Sequence, residues 1–365
     1  MRGIILGGGV TGLSAGISTG FPVYEAQPFP GGICRSYNRG GYHFNYGGGH
    51  WIFKAEKVGV FLNEIDQMDK YLKDAGVYFN QIIKSPIQKA SKPAEPGTMR
   101  HWMHERFGDG LCRVFFDPFG TSYTAGLYRH ILQDDPRKSP DSDRKDSYND
   151  TFYYPSHGLS YLINRMAGKC TVKYDKKATA LDLKNKVVTF DDGEEGRFDR
   201  LISTIPLREV LRLAGIQCSM MPFTSVLVLN IGATRGSNCP KESWLYIPKC
   251  RAGFFRAGFY SNIDATFAPP GKVSIYVEKA YQNHELFTNG YVQQAVQELK
   301  DWGWIKSVEV IEENWVEYAY TWMYKTTPRK EYLKLLAKHD VKSIGRYGRW
   351  KFQGIAESIL DGMEV

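Results

Sequence analysis

The run Gly7-Gly8-Gly9-Val10-Thr11-Gly12 sets glycines at the spacing GxGxxG, directly after the short apolar stretch Gly3 to Leu6. Each glycine in that pattern has a separate use. Gly7 permits a tight turn, Gly9 lets backbone approach a pyrophosphate, and Gly12 allows a helix to pack closely on a strand. A helix starting near Val10 turns its unpaired N–H groups and its dipole toward the phosphates. Glu25 closes the next apolar run, Phe21 to Glu25, where a carboxylate can accept hydrogen bonds from ribose hydroxyls. Strand, glycine turn, short helix, strand and acid together describe a βαβ unit for a dinucleotide. A glycine-rich loop that holds nothing is the competing reading.

More glycines follow. Gly31 and Gly32, in Pro30-Gly31-Gly32-Ile33-Cys34-Arg35-Ser36, suggest backbone lying close to a ligand, and Gly47-Gly48-Gly49 leads straight into His50. The pattern suggests a chain wrapped around something flat and extended, or a set of ordinary turns. Arg256 stands between Phe255 and Ala257 in a strand-like run, and a buried arginine there needs a partner. That partner is an internal carboxylate or a bound anion, which the guanidinium fork suits. Tyr246, Tyr318 and Tyr320 are core tyrosines or hydroxyl donors to a ligand. Arg346, between Gly345 and Tyr347, faces a ligand or the solvent. His101, His104 and Glu105 do not form HExxH, no third ligand lies at a useful spacing, and no metal site is expected. The sequence also lacks GxSxG and the P-loop lysine pattern, which leaves a bound cofactor as the reactive group.

Composition sets the outer limits. The chain has 365 residues, enough for a large core or two subdomains, and its 42% apolar content fits a folded globular protein. The formal charge of +8 is spread along the chain rather than blocked, which suits an anionic ligand. Zinc-finger spacing, an RNA-binding aromatic run and a polybasic tail are all missing, so nucleic acid is not expected as a partner. None of the six cysteines forms a CxxC pair, and they read as reduced thiols of a cytoplasmic protein. The N-terminus lacks a signal-peptide pattern, and no apolar run is long enough for a membrane span.

With these residues in view, the chain resembles flavoproteins of the amine oxidase and protoporphyrinogen oxidase superfamily through the spacing of Glu25 to Gly31-Gly32. Within that group it resembles UDP-galactopyranose mutase, through "FNYGGGHWIF", "HWMHERFGDGLCRVFFDPFGTSY", "TFYYPSHGLSYLINRMA", "LISTIPLREVL", "ESWLYIP…GFFRAGFYSNI" and "GRYGRWKF", in that order. Two departures stand out: an extra glycine before His50, and Gln353-Gly354-Ile355 where the mutases carry a tyrosine and acidic pattern. The resemblance implies FAD as cofactor, held by Gly7, Gly9, Gly12, Glu25, Gly31, Gly32, Ser36, Gly49, Gly345 and Arg346. It implies His50 beside the flavin, with Arg256 and Tyr320 catalytic. It makes Tyr246, Arg256, Tyr320 and Arg346 substrate contacts, Tyr320 being preferred over Tyr318.

The activity implied is a flavin-dependent isomerase, a nucleotide-sugar mutase that interconverts pyranose and furanose forms through a sugar adduct on N5 of reduced flavin. Its partners would be a nucleotide-diphosphate sugar and NAD(P)H or another reductant. An FAD-dependent oxidoreductase of the amine oxidase type is the alternative, and a flavin-binding protein without activity the third reading.

The expected architecture is α/β, a Rossmann-like FAD-binding domain assembled from discontinuous segments with an inserted mixed α+β substrate domain. Residues 1–60, 152–235 and 335–365 supply the FAD-binding pieces. Residues 61–151 form a mostly helical insert and 236–334 a substrate domain with strands. A helix is expected from Val58 to Tyr71, where Phe61, Ile65 and Met68 have helical spacing, and another from Glu285 to Trp302. The polar stretch 134–150 is read as a solvated loop, inert or a lid.

Overall fold

The strand Gly3–Leu6 alternates its side chains between two apolar layers, and that alternation fixes its place at the centre of a sheet. Ile5 faces one layer with Ala15, Val23, Ile202 and Ile344. Ile4 and Leu6 face the other, with Leu201, Phe190, Leu207 and Val341. The sheet has five strands in the order Val341–Ser343, Arg200–Ser203, Gly3–Leu6, Val23–Tyr24 and Val172–Lys173, every pairing parallel. Its strands thus come from three separated stretches of the chain. The structure is a computed structural model and describes residues 1–53, 55–83, 97–132, 151–218, 221–282 and 290–365.

Helix Val10–Thr19 starts at Gly9 and stops at Gly20, whose φ of 71° ends it in the left-handed conformation. Helix Ile355–Met363 crosses it closely enough that a Cβ on Gly362 would lie 2.4 Å from the Thr11 carbonyl oxygen. A three-stranded antiparallel sheet, Ala178–Asp182, Val187–Phe190 and Glu195–Arg197, covers the far layer.

A second sheet has seven strands, in the order Ile305–Thr321, Phe223–Arg235, Lys272–Tyr281, Arg256–Phe259, Trp244–Tyr246, Ala75–Tyr78 and Ile82–Ile83. Its long strand Phe223–Arg235 again divides two cores. Val226 and Val228 face one with Trp244, Phe255 and Tyr276. Leu227, Leu229 and Ile231 face the other, closed by Ala295 and Leu299 of helix Tyr291–Asp301. Among the described residues no helix is long and apolar enough to cross a membrane, and all six cysteines are free thiols.

Several expectations need correction. The helix expected from Val58 to Tyr71 spans only Gly59–Asn63, and Met68–Leu72 is a strand paired antiparallel with Thr151–Pro155. Pairing with a distant partner outweighs the local helical spacing there. Insert 61–151, read as mostly helical, also holds strands Ala75–Tyr78 and Ile82–Ile83, so its first part is β. Residues 223–235, assigned above to the second FAD-binding piece, form the second strand of the seven-stranded sheet. Of the helix expected from Glu285, the described part is Tyr291–Asp301. Residues 285–289 and the loop 134–150 lie outside the described residues.

Candidate active site

The glycine turn is built as a cradle. Gly7 has a φ of 97°, a conformation that favours glycine. The Thr204 hydroxyl locks the turn from the neighbouring strand, donating to the carbonyls of Leu6 and Gly7 at 2.9 and 3.1 Å. Glu25 is buried and accepts from the backbone N–H of Gly8 at 2.6 Å and of Gln27 at 2.9 Å. Its oxygens keep lone pairs for further donors such as ribose hydroxyls. Gly31 bridges to Gly9, its N–H donating to the Gly8 carbonyl at 2.8 Å. A Cβ on Gly9 would meet nothing within 4 Å, so this is the open side of the cradle, and no side chain caps the helix that begins there. Gly345 packs on Thr11 so tightly that a Cβ would stand 2.7 Å from its hydroxyl, which brings the C-terminal motif onto the first helix.

Next to Gly345, Arg346 donates from Nη1 to the Gln353 carbonyl at 3.2 Å and from Nη2 to the Ala319 carbonyl at 2.8 Å. Its guanidinium carbon lies 4.9 Å from the Phe352 ring centre and 5.5 Å from that of Tyr320. Arg346 Nε, Tyr347 OH and Gln353 Oε1 are all buried without a hydrogen-bond partner. Buried polar atoms are nearly always satisfied, so these three are available to a polar ligand.

Tyr320 links Arg346 to a second cluster. Its hydroxyl accepts from Arg256 Nη2 at 3.4 Å, and its ring meets Tyr123 edge-on at 4.6 Å. Burial raises the phenol's pKa above its ordinary value despite the nearby Arg256, so Tyr320 stays a protonated donor. A register shift in strand Ile305–Thr321, opposite Thr224 to Val226, sends its neighbour Tyr318 into the other core, where it donates to Glu209 at 2.6 Å.

In strand register, Tyr246 pairs with Arg256 and Arg256 with Glu278, so the three stand in a row across one face of the sheet. Arg256 donates to Glu278 through Nε at 3.0 Å and through Nη2 at 2.6 Å to each oxygen. The internal carboxylate, one of the two partners expected for Arg256, is therefore present. Cys34, near Arg346, has its thiol pushed up to about 12 by burial and is not a thiolate.

The triple glycine before His50 has a packing reason. A Cβ on Gly48 would lie 2.4 Å from Glu278 Oε1, and one on Gly49 would lie 2.2 Å from the Tyr276 hydroxyl. Only glycine lets this loop settle on the strand bearing Glu278. His50 Nδ1 is buried and unpartnered. Burial, with the cations Arg346 and Arg256 adding to it, lowers the imidazole pKa to about 4, so the ring is neutral near pH 7.

Not every expected residue joins these groups. Ser36 exchanges hydrogen bonds with Ser160, accepting from its N–H at 3.1 Å while its own N–H donates to the Ser160 hydroxyl at 2.9 Å. Thus Ser36 ties the hairpin of strands Ser36–Arg39 and Tyr42–Asn45 to helix Leu159–Ala167. His104 bonds Asp109 and Asp117, and among the described residues no group of three or more His, Cys, Asp or Glu could hold a metal ion. Sequence reasoning missed Glu278, Tyr276, Thr204 and Tyr123. Only strand alternation around Tyr276 and Glu278 hinted at a shared face.

The glycine cradle, its open side at Gly9, and the orphaned atoms of His50, Arg346, Tyr347 and Gln353 fit an extended dinucleotide cofactor. The family model for flavin containing amine oxidoreductases matches residues 59–354. No curated protein matches the chain. Among solved structures, reduced UDP-galactopyranose mutase superposes with a TM-score of 0.86 at 20% identity, over 100% of this chain and 94% of the mutase. A putative protoporphyrinogen oxidase from Exiguobacterium sp. 255-15 gives 0.75 at 14% identity, covering 100% and 97%. Putrescine oxidase bound to putrescine gives 0.71 at 12%, covering 100% and 97%. At such identities these likenesses speak for the fold.

Proposed function

Since the chain belongs to the flavin containing amine oxidoreductases and FAD is its cofactor, we propose that it is a nucleotide-sugar mutase interconverting pyranose and furanose forms. The observation that carries this reading is Arg346, a half-buried cation with no carboxylate at ion-pair distance among the described residues, set beside Tyr320 and the Arg256–Glu278 pair. An uncompensated guanidinium in such a place calls for an anion and repels a protonated amine.

Gly7, Gly9, Gly12, Glu25, Gly31 and Gly32 would hold the adenosine and diphosphate part of FAD, with His50, Gly49, Gly345 and Arg346 nearer its ring. Bound and reduced, FAD supplies an electron-rich nitrogen as nucleophile toward the sugar. The protein's part is position and charge. Arg346 stabilises the negative charge that builds on the departing nucleoside diphosphate, and Tyr320 and Tyr246 donate hydroxyl hydrogen bonds to it. His50, neutral, orients the reacting partners through Nδ1 without adding a charge. Arg256 contributes Nη1, which makes no hydrogen bond among the described residues, while Glu278 holds its other edge. The substrate is a nucleotide-diphosphate sugar, NAD(P)H or another reductant supplies electrons, and the free thiols support a cytoplasmic setting.

The aromatic lining favours one other reading. Phe119 meets Tyr246 at 5.4 Å and Tyr123 meets Phe255 at 5.2 Å, the sort of wall that encloses an amine in an oxidase. Conversion of a sugar nucleotide by the reduced protein, set against hydrogen peroxide release from amines by the oxidised protein, decides between the two.

A further inference from the structure

The Glu357 carbonyl fixes the amide of Gln353. Gln353 is 4% exposed, and its Nε2 donates to that carbonyl at 3.1 Å. A carbonyl only accepts, so Oε1 is the other end of the amide, a buried acceptor without a hydrogen-bond partner among the described residues. The Gln353 backbone carbonyl accepts from Arg346 Nη1 at 3.2 Å, which ties the residue to the cleft. Tyr347, next to Arg346, keeps a second buried orphan, its hydroxyl. Burial pushes that phenol up to about 12, so it stands ready as a donor.

Helix Ile355–Met363 sets where Gln353 lies. Its Gly362 end packs on Thr11, beside the glycine cradle. Its other end, at Gly354, lies roughly 12 Å farther along, at about 1.5 Å per residue. Gln353 therefore stands beyond the cradle, on the side of the cleft where Arg346 lies 5.5 Å from the Tyr320 ring centre. A diphosphate offers only acceptors, which suit Arg346 and Tyr347 but not an amide oxygen. Gln353 Oε1 needs an N–H or O–H. A cyclic imide edge, an N–H between two carbonyls, serves the Gln353 acceptor and the Tyr347 donor together.

We infer that Gln353 is a cofactor-positioning residue whose Oε1 accepts from the imide N–H of the FAD ring. Gln353 belongs to the stretch that departs from the mutase pattern, so no shared motif supplies this contact. A uracil base presents the same edge. The flavin is assigned because the helix that follows Gln353 runs back to the cradle proposed to hold the rest of the same cofactor. The inference rests on FAD as cofactor and not on the nucleotide-sugar reading, so absence of sugar isomerisation leaves it standing.

The test is a cycle between protein and ligand. The full chain and Gln353→Met, freed of FAD, are titrated with FAD and with N3-methyl-FAD, which lacks the imide hydrogen. The unaltered protein is expected to prefer FAD at least tenfold. Gln353→Met is expected to bind FAD at least fivefold more weakly and to prefer it less than threefold. A merely structural role for Gln353 would weaken both flavins alike and leave the preference unchanged. A preference absent from the unaltered protein, or undiminished in Gln353→Met, overturns the inference. UDP is titrated into the FAD-loaded proteins as well. If Gln353→Met keeps its FAD affinity and binds UDP tenfold more weakly, the imide is that of uracil and the assignment to the flavin is overturned. If Gln353→Met does not fold, Gln353→Asn, whose oxygen is drawn back by one carbon, takes its place under the same criteria.

Discussion

The Gly7 carbonyl oxygen lies so near the Gly12 α-carbon that a Cβ placed on Gly12 would sit 1.9 Å from it. Gly9, between them, has nothing within 4 Å of such a Cβ. The two glycines therefore differ, Gly12 being needed for packing and Gly9 bordering open space where the cofactor is proposed to lie. Gly12→Ala is expected to unfold the N-terminal unit or yield little protein. Gly9→Ala should fold with an unchanged melting temperature in the FAD-free form, yet bind FAD roughly tenfold or more weakly. FAD fluorescence quenching and a melt of the FAD-free protein separate the two cases. Equal FAD affinity in Gly9→Ala would contradict the cradle.

Among the described residues Arg346 has no carboxylate at ion-pair distance, so anion affinity should follow it. Arg346→Met should weaken UDP-galactose binding roughly ten- to hundredfold, the scale of a charged hydrogen bond. Arg346→Lys keeps the charge without the fork and should fall in between. FAD content is measured alongside, because Arg346 also binds the carbonyls of Gln353 and Ala319. A variant that keeps its FAD and its UDP-galactose affinity would remove Arg346 from the substrate site.

Two histidines make stability sensitive to mild acid. Burial lowers both His43 and His50 to about 4 in the folded protein, against about 6.5 when unfolded. Above pH 6.5 neither state binds these protons and the full stability is present. As pH falls from 6.5 toward 4, the unfolded chain takes up protons that the folded one excludes, and stability declines. Melting temperature should drop through that window. His43→Gln, which keeps a polar group near Tyr154 and Asn38, should flatten the decline relative to the unaltered protein. Parallel curves would mean that His43 does not carry the effect.

Local pattern was enough to read the nucleotide unit. The apolar run, the glycine turn and the acid at Glu25 act through neighbours in the chain, and strand Gly3–Leu6 and helix Val10–Thr19 stand where that pattern puts them. What failed was set by distant pairing. Met68 has helical spacing from Phe61 and Ile65, yet it pairs with Pro155 in a strand. Glu278 sits on the next strand after Arg256 and no motif marks it, so only sheet register joins the two. The glycines before His50 suggest a chain wrapped around something flat or a set of ordinary turns, and the contacts of two of them with Tyr276 and Glu278 come from a distant strand. Ser36, matched by motif, also accepts from the Ser160 N–H, a contact that no local pattern announces.

On the proposed function, the cleft between Arg346, Tyr320 and His50 isomerises a nucleotide sugar. The measurement is chromatographic: the FAD-loaded protein, reduced with dithionite under nitrogen, is incubated with UDP-, GDP- and dTDP-sugars, and the pyranose and furanose forms are separated. A new isomer is expected from at least one sugar nucleotide with reduced protein only, and is expected to be lost in Arg346→Met. No isomer from any of them, together with hydrogen peroxide release from an amine by the oxidised protein, would contradict it and assign the cleft to amine oxidation.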